Sequence, residues 1–440
     1  MNAVKKAIIL VAVVMMTLGL WQFRKPYDKP IQEGDNIFSS EIYTHYHRQL
    51  NNFIVNHPLY TSVKDSPRTA FNSEIKKLIE EIEKPSGTPQ EQRQFHEAFV
   101  HRLRVLANMS LINKIDSNEK NSLKLFEDII HWLYLGADLQ VAMQSFLFSH
   151  VSPPSKNLLE YFIETQQNLY VNSKFCGVEE LVGEDQFLLG NLPSALSIQK
   201  GSIKTQLIRF GQPLINNSKM LWWCNSPILS PEFKVFLNLH STHLYVNLMK
   251  RQGVEGPLSM GLETLENEFP HLYVITLDKN SSFYKQDEEM YPEVMESLSF
   301  QNIFLDHLLK KNGNYFWSNH IDKSTWKQEL QQIILTIHES TFRGKETLNK
   351  TERQDFIELV YLMILDKLVE RWHPASMNIT CRQGMDRGPS LSTLWLLQNQ
   401  QLSDREAAAF LLTPSLLIHN RPIHAPRIKR LISAARQKSE

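Results

Sequence analysis

The sequence predicts an α/β protein in which a helical N-terminal domain is followed by a domain built on a partly parallel sheet flanked by helices. Three observations predict this. Between residues 41 and 170 apolar side chains recur at three- and four-residue steps, as in Leu123, Phe126, Ile129, Ile130 and Leu133, with no run of strand character. After residue 176 two similar apolar runs appear, His243-Leu244-Tyr245-Val246-Asn247-Leu248 and His271-Leu272-Tyr273-Val274-Ile275-Thr276. Between them Leu262, Leu265 and Phe269 keep helical spacing within a segment bounded by Gly256-Pro257 and Pro270. Strand, helix and strand in that order are the signature of a parallel pair joined by a right-handed crossover.

In chain order, residues 1–22 are a hydrophobic signal or anchor segment. Lys5 and Lys6 precede an apolar run from Ala7 to Met16 that continues through Leu18-Gly19-Leu20-Trp21. The run is shorter than the roughly 20 residues of a membrane span. Trp21-Gln22-Phe23-Arg24-Lys25 offers no small-x-small cleavage site, which favours an uncleaved anchor. Cations stand on both sides of the run, so charge does not orient it. Residues 23–40, with Pro26, Pro30 and Gly34, read as a linker. Residues 41–175 form the helical domain, broken at Pro153-Pro154 and resuming with Leu158, Leu159, Phe162 and Ile163. Residues 176–440 form the α/β domain that carries the chemistry.

Composition narrows the function classes. Lys plus Arg and Asp plus Glu are equal at 47 each, so nothing attracts the chain in bulk to nucleic acid, and anion recognition must be local. The three cysteines, Cys176, Cys224 and Cys381, are odd in number and lack zinc or disulfide spacing, which fits a reducing environment. No His-Glu-x-x-His pattern occurs, and neither a metal nor any other cofactor is expected. In open parallel sheets ligands gather at the carboxyl ends of strands, where the first apolar run delivers Lys250 and Arg251 and the second Asp278.

The most informative segment follows a helix over residues 352–371, whose Phe356, Val360, Met363, Ile364 and Leu368 share one face and which Pro374 ends. The strand Met377-Asn378-Ile379-Thr380 leads into Cys381-Arg382-Gln383-Gly384-Met385-Asp386-Arg387, and Gly388-Pro389-Ser390 opens a new helix. A strand, a tight loop and a helix N-terminus together trap anions, because successive backbone N–H groups point inward and the helix dipole adds positive potential. The same field favours the Cys381 thiolate over the thiol. Arg387, six residues on, can bind two phosphoryl oxygens through its planar fork. Gly384 gives the loop room for close backbone approach. Neither Cys176 nor Cys224 has an arginine at the same spacing.

The segment from Cys381 to Arg387 resembles the Cys-x5-Arg loop of cysteine-based phosphatases. With Gly at its fourth position and Asp-Arg at its end, it is most similar to the inositol-polyphosphate and phosphoinositide phosphatases that pathogenic bacteria deliver into host cells, and to the myotubularin-type loop. The resemblance implies a phosphoric monoester hydrolase in which Cys381 attacks phosphorus, Arg387 holds the phosphoryl oxygens and Asp386 is the candidate general acid, with Asp278 as the alternative. Arg382, Gln383, Gly384, Met385, Lys250 and Arg251 would line the substrate site. The implied partner is a phosphoinositide or inositol phosphate, at a membrane reached through the N-terminal segment or inside a host cell as a secreted effector. Two departures stand out. Met385 replaces the second lysine that effector loops use to gather phosphates, and Gly388 replaces the Ser or Thr that follows the arginine. Met385 would suit a phosphotyrosine substrate better, and Gly388 is compatible with a silent, membrane-anchored phosphate-binding module. Downstream, His419, Arg421, His424, Arg427, Lys429 and Arg430 form a basic cluster suited to an anionic headgroup.

Overall fold

The computed structural model describes residues 41–84, 88–112, 116–150, 162, 191–215, 228–419, 423 and 425–437. The hydrophobic N-terminal segment, the linker, Pro153, Pro154, Leu158, Leu159, Ile163, Cys176, Cys224, Arg421 and His424 lie outside these residues. Among the described residues no helix is long and apolar enough to cross a membrane.

The chain is mixed α/β with a partly parallel five-stranded sheet. It opens with helices α1 (Glu41–Val55), α2 (Ala70–Glu83), α3 (Pro89–Ile112), α4 (Lys120–His131) and α5 (Gln140–His150). Side chains cap their starts: the Thr69 hydroxyl accepts from the Asn72 N–H at 3.3 Å, and Asp116 with Glu119 forms a reciprocal box just before α4. The apolar stripe read from the sequence faces inward. Phe126, Ile129, Ile130 and Leu133 are buried, and Leu123 is half-buried at the edge.

The sheet has β1 (Ser194–Lys200), β2 (Ile203–Arg209), β3 (His243–Asn247), β4 (Leu272–Thr276) and β5 (Ser376–Thr380) in spatial order β1-β2-β5-β3-β4. Only β1 runs antiparallel to its neighbour. The two apolar runs are β3 and β4, paired parallel from His243 opposite Leu272 to Asn247 opposite Thr276. Of the helix predicted between them on Leu262, Leu265 and Phe269, α7 (Gly256–Glu263) holds only Leu262, since the chain tightens into a 3-10 turn over Thr264–Asn267; α7 follows α6 (Pro231–Leu239) in the chain. Both β3 and β5 are buried along their whole length, as expected of parallel strands covered on both faces.

One polar contact fixes the register of these central strands. Fully buried His243 on β3 sits 2.8 Å from Ser376 Oγ through Nδ1 and 2.8 Å from Asn378 Oδ1 through Nε2, both on β5. A one-residue slip would break both bonds and reverse every side chain of the strand.

The remaining helices are α8 (Ser297–Leu309), α9 (Lys323–Ser340), α10 (Lys350–Trp372), α11 (Arg387–Gln398), α12 (Asp404–His419) and α13 (Ala425–Gln437). Helix α10 starts on a capping box of Asn349 and Glu352 and ends at His373 in the left-handed region, one residue before Pro374. A continuous buried core runs from Ile42 to Ala434 and joins the early helices to the sheet. Tyr134 is the centre of that junction, with its ring 5.5 Å from Phe210 at the end of β2 and 4.5 Å from Phe236 on α6.

Candidate active site

Strand β5 occupies the middle of the parallel part of the sheet, so Cys381 emerges where the carboxyl ends of β2, β5 and β3 meet. The loop 381–386 turns directly into α11, which begins at Arg387. The turn needs glycine. Gly384 has φ +67°, and a Cβ built there would lie 2.3 Å from the Phe210 carbonyl oxygen.

The carbonyls of the loop are fastened from behind. The Gln212 N–H donates to the Arg382 oxygen at 3.1 Å, Asn191 Nδ2 to the Gln383 oxygen at 2.9 Å, and Arg209 Nη1 to the Gly384 oxygen at 3.4 Å. The Thr380 hydroxyl ties the strand end to the same support, donating 2.6 Å to the Phe210 oxygen.

Cys381 is 4% exposed and is the free cysteine among the described residues. Burial pushes its thiol up. The Arg387 guanidinium and the N–H groups of Gly388 and Asp386 outweigh that push, even against the Asp386 carboxylate, and the net pKa falls below the ordinary thiol value. The sulfur thus faces a guanidinium and two backbone donors, all of which favour its charged form.

Arg387 is held by a group that sequence reading missed. Its Nη1 donates to the Leu248 carbonyl at 2.8 Å and to Glu255 Oε2 at 2.9 Å, and its Nη2 to Glu255 Oε1. The same Oε2 accepts the Lys250 N–H at 2.9 Å, which fixes the carboxylate to the turn after β3. Burial alone would raise the Glu255 pKa, but the Arg387 hydrogen bonds and charge win and hold it low. The pair is buried except for a narrow rim, and the only cue in the sequence was position: Glu255 lies in the loop leaving the carboxyl end of a neighbouring strand.

The other predicted residues take different places. Arg382 and Gln383 are half-buried, whereas Met385 is 1% exposed and packs into the protein. Lys250 lines a cavity of about 610 Å³ with Gln252, Glu255, Ser281, Tyr291 and His307, next to the Arg387 pair. Arg251 turns to a different task, bonding both oxygens of Glu263 at 2.8 and 3.0 Å and the carbonyls of Gly313 and Tyr315. The buried Asp278 accepts the Asn280 and Ser281 N–H groups through Oδ1 at 2.9 and 3.0 Å and so orients its own turn. Asp386 lies 2.8 Å from Arg427 Nε on α13, which makes part of the C-terminal basic cluster a support for the loop.

Gly388 has a packing reason. A Cβ there would stand 2.6 Å from the Ile379 carbonyl oxygen, so α11 starts too close to β5 for any side chain. Among the described residues no cluster of three or more His, Cys, Asp or Glu could hold a metal ion. No family model, curated protein or solved structure matches the chain.

Proposed function

We propose that the protein is a cysteine-dependent phosphatase that hydrolyses a phosphate monoester of a phosphoinositide or inositol phosphate. The observation that carries this reading is the acidified Cys381, set at the end of the central parallel strand opposite an arginine locked in place by Glu255. In the proposed reaction the thiolate attacks phosphorus, the P–O ester bond breaks as the leaving oxygen takes a proton from the candidate acid Asp386, and water then cleaves the S–P bond of the cysteinyl-phosphate to release phosphate and the thiolate. Glu255 holds the Arg387 guanidinium in place, and the N–H groups that Glu255 and the Leu248 carbonyl leave over would meet the phosphoryl oxygens. The inositol substrate class is supported by the half-buried Arg382 and by the cavity that Lys250 lines beside Glu255. Membrane attachment through residues 1–22, or delivery into a host cell, completes the reading.

One observation favours a second reading. The pairing of Asp386 with Arg427 engages the candidate acid, which suits a module that binds phosphate without turning it over. Phosphate release from phosphoinositides, soluble inositol phosphates and a phosphotyrosine peptide under reducing conditions separates the readings. Release from inositol substrates that Cys381→Ser abolishes is the expected result. Release from the peptide alone overturns the substrate class, and binding without release favours the silent module.

A further inference from the structure

Behind the loop lies a charged residue that the chemistry so far does not use. Arg209, the last residue of β2, is 5% exposed, and all its hydrogen bonds go to neutral acceptors. Nη1 donates to Asn191 Oδ1 at 2.8 Å and to the Gly384 carbonyl at 3.4 Å, Nη2 to the Leu192 carbonyl, and Nε reaches Ser194 Oγ at 3.4 Å. Among the described residues no carboxylate pairs with it. A buried guanidinium bonded to neutral acceptors is costly, and what it holds together here are the Gly384 carbonyl of the loop and the Asn191–Ser194 flank.

Asn191, 3% exposed, is bound on both sides: its oxygen accepts from Arg209 while its nitrogen donates to the Gln383 carbonyl. The two residues therefore grip consecutive carbonyls at the apex of the loop. In a planar trans peptide the carbonyl and the following N–H point in opposite directions. Fastening the Gly384 oxygen outward turns the Met385 N–H toward the other face of the loop, and the Gln212 bond to the Arg382 oxygen does the same for the Gln383 N–H.

We propose that Arg209 and Asn191 form a latch of positioning residues: Asn191 holds Arg209 and the Gln383 carbonyl, whose following N–H closes the loop on the Cys381 carbonyl at 3.2 Å, while Arg209 keeps the Met385 N–H aimed at the anion site and is the rear counter-charge of the Cys381 sulfur. The inference rests on the phosphatase reading for its purpose, but not for its readout. Burial pulls Arg209 down to about 10, and the charge that opposes this pull is the Cys381 sulfur. On the sulfur itself Arg387 and the backbone N–H groups act more strongly. Arg209 is not among the leading influences on the sulfur, and the expected effect is correspondingly modest.

The test measures the pH dependence of Cys381 alkylation by iodoacetamide, which follows the thiolate and needs no substrate, together with tungstate binding by calorimetry. Arg209→Met is expected to move the alkylation midpoint up by about half to one pH unit, and Arg209→Lys to keep it near the parent. Asn191→Ala leaves the charge in place, so it is expected to leave the midpoint unmoved while weakening tungstate binding about tenfold. An unmoved midpoint in Arg209→Met, or an equal shift in Arg209→Lys, overturns the counter-charge. Full tungstate affinity in Asn191→Ala overturns the latch, and this arm decides even where Arg209→Met does not fold. Failure of phosphate release with these shifts intact would instead count against the phosphatase reading alone.

Discussion

Glu255→Gln isolates what the carboxylate does for Arg387. In the parent, both oxygens accept from the guanidinium and one also accepts the Lys250 N–H. Glutamine keeps the shape but offers one acceptor, and its amide N–H groups face the guanidinium donors. Breaking one partner of a buried pair costs 3–5 kcal/mol, and because this pair keeps a solvent rim the loss of stability should be about 3 kcal/mol. A misaimed Arg387 resembles the loss of one oxyanion donor, about 10²- to 10³-fold in kcat/KM. Because Arg387 is also the strongest group lowering the Cys381 pKa, its misaim should raise the alkylation midpoint. Iodoacetamide should therefore alkylate the variant more slowly at neutral pH while phosphate release collapses. The pH dependence has a definite sign. The folded Glu255 pKa lies below its ordinary value of 4.5, so its contribution to stability is present above that value and is lost as pH falls through the lower folded one. The stability gap between parent and variant should be full at pH 7 and should close below about pH 4.5. A glutamine variant within threefold of the parent in kcat/KM, with equal stability at pH 7, would refute the claim that Glu255 positions Arg387.

Two further substitutions test the surrounding frame. Gly388→Ser, which would install the hydroxyl carried by the phosphatase loops this segment resembles, should not speed turnover. It should lower stability by about 1–3 kcal/mol in chemical denaturation, because its Cβ meets the Ile379 carbonyl at 2.6 Å. Burial, against the Asn378 bond, pulls the His243 pKa down to about 3, so the stability it protects is present above the ordinary 6.5 and drains away as pH falls toward 3. His243→Leu should be less stable than the parent at pH 7.5, since Ser376 and Asn378 lose their partner, and the gap should narrow steadily between pH 6.5 and 4.5 in denaturant titrations.

Much of the fold was legible where local pattern decides it. Helix α10 and strands β3, β4 and β5 were readable because a 3.6-residue stripe and short buried apolar runs declare themselves within a few residues. The β1–β2 hairpin was not, because Ser194-Ala-Leu-Ser-Ile-Gln-Lys has no strong β character and β2 owes its place to pairing with distant β5. The loop was legible through the fixed spacing of Cys381 and Arg387. Its supports were not. Glu255 lies 132 positions from Arg387, and a buried arginine such as Arg209 contradicts the expectation that charged residues face water. Arg251 was placed correctly at a strand end, yet which way its guanidinium turned depended on Glu263 and on carbonyls more than sixty residues downstream.

These missed residues share a logic. Both come from the strands that flank β5: Arg209 ends β2 behind the loop, and Glu255 follows β3 in front of it. A loop with inward N–H groups and a thiolate at its base concentrates strain and charge that its own seven residues cannot stabilise. The carbonyls need donors on the outside, and the arginine needs an anion while the site is empty. The neighbouring strands and the turns beside them supply both, through Arg209, Gln212 and Glu255 together with Asn191 ahead of β1, and they can do so only if their register against β5 is fixed. His243, bonded to Ser376 and Asn378, fixes it on one side. A structural histidine in the core and the acidity of the buried Cys381 are therefore coupled through a single strand, and a variant that loosens the first should degrade oxyanion binding at the second before it unfolds the chain.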